Sequence, residues 1–193
     1  MEKAIKAKIK NYLVLLVRNS YGFCMIKVVG AKGTVEDVDV FLKQVMDFSR
    51  NRSFVVQVFD ADVIFGKKHL VSAVEHAVRA FDRKTNTTNS LSMEILLYAS
   101  GERQLKLAIP KVGIKNGRRN IAFVFVKDIK EVDDSLIEKL LRDLSLTRDD
   151  TVLDGDVDTL RKFGLDERQI KTVTKAKYGD LILEKVAMVD IIK

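Results

Sequence analysis

The stretch from residue 61 to 114 constrains the fold most, because it contains a long helix that is apolar on one side only. From Leu70 to Phe81 apolar residues recur every three or four positions, while charged and polar side chains fill the opposite side. Such a helix must bury its apolar side against another element. The apolar run Phe54–Phe59, just before it, predicts a buried strand of the sheet on which the helix packs.

The remaining elements follow from periodicity and from residues that start and stop helices. The β-branched runs Tyr12–Val17 and Phe23–Val29 predict a hairpin, and Asn120–Val126 predicts another strand. We predict further helices over residues 35–49, 90–100, 103–112, 135–144, 157–163 and 167–176, and a loop over 145–156. Residues 181–192 fit a helix or a strand, and composition favours the helix. We therefore expect an α/β fold: a single domain over residues 1–193, with a small mixed β-sheet packed against several helices.

Capping residues predict where three of these helices begin. Thr34 with Asp37 forms a capping pair before the first helix, and Asp134 precedes a later one. Asp166 with Gln169 forms a second pair.

Charge is distributed unevenly along the chain. The net charge is +7, but residues 128–158 contain eleven acidic and four basic side chains, so the remaining residues carry +14. This asymmetry favours a basic surface for a polyanion and a separate acidic region. Ordinary solvated surface is the alternative.

Cysteine content and hydropathy indicate the cellular compartment. The single Cys24 lies among apolar residues and is predicted to be a buried, reduced thiol. The apolar run after the N-terminal lysines has six residues and ends at Arg18, which is too short for a signal peptide. No segment approaches the roughly 20 apolar residues of a membrane helix. We expect a soluble, cytoplasmic protein without membrane contact.

The polar side of the long helix is the candidate binding surface. Lys68, His76, Arg79 and Arg83 lie along it. Residues that extend this surface are Lys67, Lys84, Asn86, Asn89 and Ser92. Lys and Arg neutralise phosphates, and Asn and Ser contact base edges, so the surface suits single-stranded RNA. The alternative is a salt-bridged face in which Glu75 and Asp82 pair with the cations. A second basic cluster contains Lys111, Lys115, Arg118 and Arg119.

No catalytic or cofactor motif is present. Gly66-Lys67 lacks the other residues of a phosphate-binding loop, and there is no nucleophile elbow or dinucleotide-binding loop. Asp60 and Asp62 follow a strand and could bind Mg²⁺, but such residues more often cap a turn. We expect no enzyme activity, no cofactor and no metal site.

An ordered set of short segments resembles a known family. They are Asp-Ala-Asp-Val (60–63), Gly-Lys-Lys-His-Leu (66–70), Ala-Val-Arg-Ala-Phe (77–81), Met-Glu-Ile-Leu-Leu-Tyr-Ala-Ser-Gly (93–101), Arg-Gln-Leu (103–105), Val-Gly-Ile (112–114) and Leu-Glu-Lys-Val-Ala-Met-Val-Asp (183–190). Together they resemble the family of the PRPK-binding protein over residues 23–192. The set as a whole carries the resemblance, since none of the segments is specific alone.

The resemblance implies a function. The family supplies the small non-catalytic subunit of the KEOPS/EKC complex, which installs threonylcarbamoyladenosine next to the anticodon of tRNA. Its members are similar in docking on the small lobe of the RIO-like kinase of that complex and in binding the single-stranded CCA end of tRNA. DNA binding and homo-oligomers are not expected.

The kinase contact should be apolar, as the cores of stable interfaces are. Candidates at the C-terminus are Leu181, Met188, Ile191 and Ile192, and the helix over 35–49 is another. Core packing is the alternative for most of these residues. A regulator that acts by protein contacts alone, and a stand-alone enzyme acting on a small metabolite, stay open as alternative functions.

Overall fold

The computed structural model describes residues 6–9, 12–19, 22–50, 52, 54–128 and 133–191. The strands are β1 (Lys6–Ile9), β2 (Tyr12–Asn19), β3 (Gly22–Val35), β4 (Phe54–Asp60), β5 (Gly117–Asp128) and β6 (Thr147–Arg148). The helices are α1 (Val38–Arg50), α2 (Gly66–Asp82), α3 (Leu91–Ser100), α4 (Leu105–Val112), α5 (Asp134–Asp143), α6 (Val157–Phe163), α7 (Glu167–Ile170) and α8 (Tyr178–Ile191). Short 3-10 turns lie at Ala61–Val63, Asp150–Leu153 and Lys175–Lys177. Within these residues no helix combines the length and apolarity that crossing a membrane requires.

The strands form one sheet in the order β1-β2-β3-β5-β4, and β6 pairs with β3. This confirms the predicted α/β fold, with helices packed on a small sheet. The strand directions are a correction: they were expected to be mixed, but every described pair is antiparallel. The strand–helix–strand order β3-α1-β4 is compatible with a parallel pair. Instead, β5 lies between β3 and β4 and runs antiparallel to both.

Helices cover both faces of the sheet. One core lies between the sheet and α2, α3 and α8, and the other between the sheet and α1 and α5. Since side chains alternate along a strand, the neighbours Val28 and Val29 belong to different cores. Residues 121–126 of β5 are buried throughout because β5 is covered on both faces. Cys24 is buried, as predicted.

The segment predicted as a loop over 145–156 contains β6 and a 3-10 turn. It crosses β3 closely at Gly30. A Cβ atom on Gly30 would lie 2.8 Å from Cγ2 of Val152 and would collide with the carbonyl oxygen of Asp149. The prediction failed here because a two-residue strand has no periodicity and is formed only by its partner.

Two helix starts differ from the prediction. β3 continues to Val35, so Thr34 lies in a strand, and it is Asp37 whose carboxylate accepts a backbone N–H at the start of α1. α5 is capped by Asp133 and not by Asp134. In both places an aspartate caps the helix, but it is not the residue that was predicted to be the cap.

The C-terminal part agrees better with the sequence. The pair Asp166 and Gln169 forms the predicted capping box, although α7 ends at Ile170 instead of near residue 176. The C-terminal segment is helical over Tyr178–Ile191, which confirms the helix that composition favoured.

Candidate functional site

The start of α2 is fixed by the turn that follows β4. The Asp60 carboxylate accepts the N–H of Asp62 at 3.1 Å and caps the 3-10 turn. Gly66 then has φ +74°, a left-handed conformation that glycine adopts without steric cost. Leu70, Ala73 and Val74 are fully buried. The opposite side of α2 therefore faces outwards.

His69 joins the start of α2 to the end of α3. It is buried, its Nδ1 accepts the N–H of Phe65 at 3.2 Å, and its Nε2 lies 2.8 Å from the carbonyl oxygen of Ala99. These partners require a neutral ring with the proton on Nε2. Burial lowers the pKa of His69 to about 4, the charge of Lys111 adds to this, and the contact with Ala99 opposes it. His69 is thus a structural residue and not a surface ligand.

α8 lies beside α2 and runs parallel to it. Near the start of both helices, a Cβ atom on Gly179 would be 3.5 Å from the ring of Phe65. Near the end of α8, Oδ2 of Asp190 is 2.6 Å from Nδ1 of His76 in α2. The distance along the chain from Phe65 to His76 equals that from Gly179 to Asp190, as expected for two helices that run side by side in the same direction. The last turn of α8 therefore lies next to the middle of the polar face of α2.

Four polar side chains from α2, α3 and α8 meet at this point. The hydroxyl of Tyr98 donates to Oδ1 of Asp190, while His76 lies against Oδ2. Burial opposes ionisation of Asp190, but the bonds from Tyr98 and His76 outweigh it and hold the pKa of Asp190 below its ordinary value. Burial, the bond to Asp190 and its negative charge raise the pKa of Tyr98. Asp190 is thus ionised and Tyr98 is neutral.

Arg79 is the fourth member and is held more loosely. Its Nη2 lies 2.8 Å from Nδ1 of His76 and 3.8 Å from Oδ2 of Asp190. One ring nitrogen cannot donate to Asp190 and accept from Arg79 at once. The 2.6 Å approach of a carboxylate requires the proton on Nδ1, so Arg79 is left with the longer ion pair. Its side chain is 41 % exposed, so an external anion can reach it.

The other predicted binding residues on α2 divide into two groups. Lys68 and Arg83 are exposed on the same side as Arg79. Arg83 lies one turn beyond Arg79, a spacing that separates Cβ atoms by about 6 Å. Lys67 points elsewhere, since its Nζ lies 2.7 Å from Oδ2 of Asp150. Burial raises the pKa of Glu75 and the charge of Arg79 opposes this, so these two residues of α2 interact as the salt-bridged alternative expected. Asp190 of α8 is a further acidic partner of Arg79.

The loop after α2 is built on a buried carboxylate that sequence reasoning missed. Glu94 is fully buried in α3 and accepts the backbone N–H groups of Thr87 and Thr88 at 3.0 and 2.8 Å. The amide of Asn86 donates to the carbonyl of Thr88 at 2.9 Å, so it stabilises the loop. A lone acid in an otherwise apolar helix was the available signal.

The outer residues of this loop are placed at the surface. Lys84 is exposed and has φ +56°, and Asn89 is exposed as well. Ser92 is half-buried, with its hydroxyl 2.9 Å from that of Ser90. The loop thus continues the exposed side of α2 at its C-terminal end.

The second basic cluster is largely engaged within the fold. Nζ of Lys111 lies 3.0 Å from Glu102 and 4.2 Å from the centre of the Phe163 ring, so it is part of the packing. Lys115 lies 3.6 Å from Asp60, and Arg119 donates to the carbonyl of Asn116. The side chain of Arg118 lies outside the described residues. Lys115 keeps an exposed side chain, and it is a weaker candidate than the α2 face.

The predicted kinase-contact residues differ in exposure. Leu181 is buried in the core, which corrects its assignment to a surface contact. Met188 and Ile191 are 37 % and 74 % exposed. Ile192 lies outside the described residues. On α1, the other candidate helix, Val40 and Met46 are exposed.

A polar cleft of about 330 Å³ is lined by Ala61 and Asp62 of the 3-10 turn, together with Asn120 and Lys162. In it Asp62 accepts from Asn120 at 2.8 Å and from Lys162 at 3.2 Å. Asp60 caps the turn and does not face a common point with Asp62. In the part of the chain that is described, no three His, Cys, Asp or Glu side chains are arranged to hold a metal ion.

Comparison with known proteins identifies the family. Residues 34–190 match the family described as kinase binding protein CGI-121. The chain belongs to this family. It is also 30 % identical, over 147 residues, to a protein named regulatory protein Cgi121 from Methanocaldococcus jannaschii; the match covers 74 % of this chain and 88 % of that protein. This confirms the resemblance found in the sequence. The CGI-121 match includes α1 to the last turn of α8, and hence both Arg79 and Asp190.

Proposed function

We propose that this CGI-121 family member is a non-catalytic, cytoplasmic accessory subunit of the KEOPS complex. In this role it binds the RIO-like kinase and recruits tRNA by its single-stranded CCA end for threonylcarbamoyladenosine synthesis. The family's description as kinase binding and the relative's name as regulatory protein support the kinase part. The exposed cations of α2 support the RNA part.

The observation that carries the RNA proposal is that Arg79 is partly exposed and only loosely paired. Its ion pair with Asp190 spans 3.8 Å, and it lies one turn from the exposed Arg83. Residues one turn apart have Cβ atoms about 6 Å apart, so their long side chains can contact successive phosphates of a single strand. An exposed pair at this distance is worth roughly 0–1 kcal/mol, so a phosphate can replace it.

The test is tRNA affinity across a salt series, with intact tRNA and with tRNA lacking its CCA end. Arg79→Glu with Arg83→Glu should weaken binding to intact tRNA at least tenfold. Losing two single-strand phosphate contacts should flatten the log–log salt slope by roughly 1.4. Lys175→Glu with Lys177→Glu is the matched control, because it makes the same charge change at exposed residues outside α2 and the loop that follows it.

Three results would contradict the RNA proposal. Equal affinity for intact and trimmed tRNA would remove end recognition. A double variant that is folded and binds as the wild type does would move the contact away from α2, with Lys115 and Arg119 next to be tested. No RNA binding at all would favour a regulator that acts by protein contacts alone.

The kinase contact is tested separately. Met188→Asp and Ile191→Asp place a charge on exposed positions of α8, so the fold should survive while co-elution with the kinase is lost. Glu184→Asp, on the same helix, is a control that keeps the charge. Normal co-elution of both folded variants would exclude the end of α8 from the interface. The isolated protein should not turn over ATP.

A further inference from the structure

We propose that Asp190 is an internal competitor of RNA, whose carboxylate occupies the position that a phosphate takes on the cationic face of α2. The inference rests on the proposed RNA binding. It adds a regulatory contact to that site, one that comes from a different helix and lies far away in the sequence. The affinity of the protein for RNA is then set partly by how firmly α8 holds this carboxylate.

The contacts of Asp190 resemble those expected for a bound phosphate. One oxygen accepts from the Tyr98 hydroxyl, and the other lies 2.6 Å from His76 and 3.8 Å from Arg79. A phosphate is recognised by the same groups, namely hydroxyls, imidazole N–H and guanidinium. Asp190 thus places one negative charge beside Arg79, the exposed cation that an RNA phosphate would contact.

The position of Asp190 within α8 argues that this contact has a specific role. It lies in the last turn, where the partial negative charge of the helix terminus disfavours an acid and a base would be stabilising. Local helix energetics therefore oppose Asp190, and its stabilisation comes from α2 and α3. Residues that contradict local preferences in this way are concentrated at functional sites.

Tyr98 determines where the carboxylate lies. Its ring is fully buried and in contact with His76 at 5.4 Å between ring centres, so the hydroxyl has a fixed position. Because Tyr98 binds Oδ1, it directs Oδ2 towards His76 and Arg79. Tyr98 is thus a positioning residue that orients the Asp190 carboxylate.

The deciding variant is Asp190→Asn, which keeps the shape of the side chain and removes its charge. RNA affinity at low salt should rise about two- to fivefold, the range in which an exposed ion pair contributes. Glu184→Gln is the matched control, since it removes one negative charge from an exposed position of the same helix. The smaller gain in RNA affinity expected for Glu184→Gln measures the general electrostatic effect of removing one negative charge.

A double-mutant cycle with Arg79 then separates the specific contact from other effects. In an Arg79→Ala background, Asp190→Asn should gain no more than Glu184→Gln. If Asp190→Asn does not fold, Tyr98→Phe combined with Asp190→Ala removes both partners of the buried hydrogen bond and leaves neither unpaired. This variant should show the same gain.

The outcomes distinguish the two proposals. Wild-type protein that does not bind RNA would refute the proposed function. Wild-type protein that binds RNA, with equal effects of Asp190→Asn and Glu184→Gln, would refute the competitor and leave the proposed function intact. An unchanged gain in the Arg79→Ala background would refute it also.

Discussion

The buried His69 should make stability depend on pH, and the size of the effect follows from its contacts. In the folded protein Nδ1 of His69 accepts the N–H of Phe65. Protonating Nδ1 would replace this hydrogen bond by a repulsive contact between two N–H groups. The pKa is accordingly lowered from 6.5 to about 4, with burial as the main cause. In the unfolded chain the ring titrates with its ordinary pKa.

The sign and magnitude follow from proton binding in the two states. Below pH 6.5 the unfolded chain binds a proton on His69 that the folded protein does not take up until about pH 4. Stability therefore falls as the pH falls through this window. Each unit of pKa difference corresponds to about 1.4 kcal/mol, so the loss by pH 4 is about 3 kcal/mol.

The assay compares wild type with His69→Gln in urea, with linear extrapolation at each pH between 7.5 and 4. Glutamine can accept and donate as the neutral ring does, but it does not titrate. All other titrating groups, including carboxylates with a lowered pKa such as Asp190, are shared and cancel in the difference. The free energy of unfolding of wild type, relative to that of His69→Gln, should fall by about 3 kcal/mol between neutral pH and pH 4. Parallel pH profiles would refute the reasoning.

Two further predictions concern packing on β3 and the loop after α2. Gly30→Ala should lower the free energy of unfolding by roughly 2 kcal/mol, because the added methyl group would overlap the segment that crosses β3. Gly179→Ala is the comparison: its methyl group makes only ordinary contacts, so thermal unfolding should show a neutral or slightly stabilising effect. Glu94→Gln should cost about 2 kcal/mol by weakening bonds to a charged acceptor. Hydrogen exchange should then speed up at the amides of Thr87 and Thr88, and unchanged exchange there would show that Glu94 does not hold the loop.

Local patterns predicted the helices well. The apolar repeat from Leu70 to Phe81 identified the buried and exposed sides of α2, because a helix of 3.6 residues per turn places such residues on one face. The same information placed Lys68, Arg79 and Arg83 on the outer side. Glycine and capping residues located the ends of several helices. The predicted starts of α1 and α5 differ from the observed ones by a few residues or fewer.

The order of the strands was not accessible in this way. The pairing of β3 with β5 and the crossing of β6 over Gly30 join segments far apart in the sequence. Hydrophobic alternation shows that a strand has a buried face, but it does not name the partner. The antiparallel sheet was therefore decided by tertiary packing.

The same division holds for the candidate site. The sequence by itself determined that α2 is a helix with a cationic outer face, since this depends on neighbours three and four residues apart. Only the tertiary structure brought Asp190 to His76, 114 residues away, and to Tyr98, 92 residues away. It also buried Leu181 while leaving Ile191 exposed on the same helix. Contacts of this kind depend on how α8 packs beside α2 and α3, and no local preference encodes that packing.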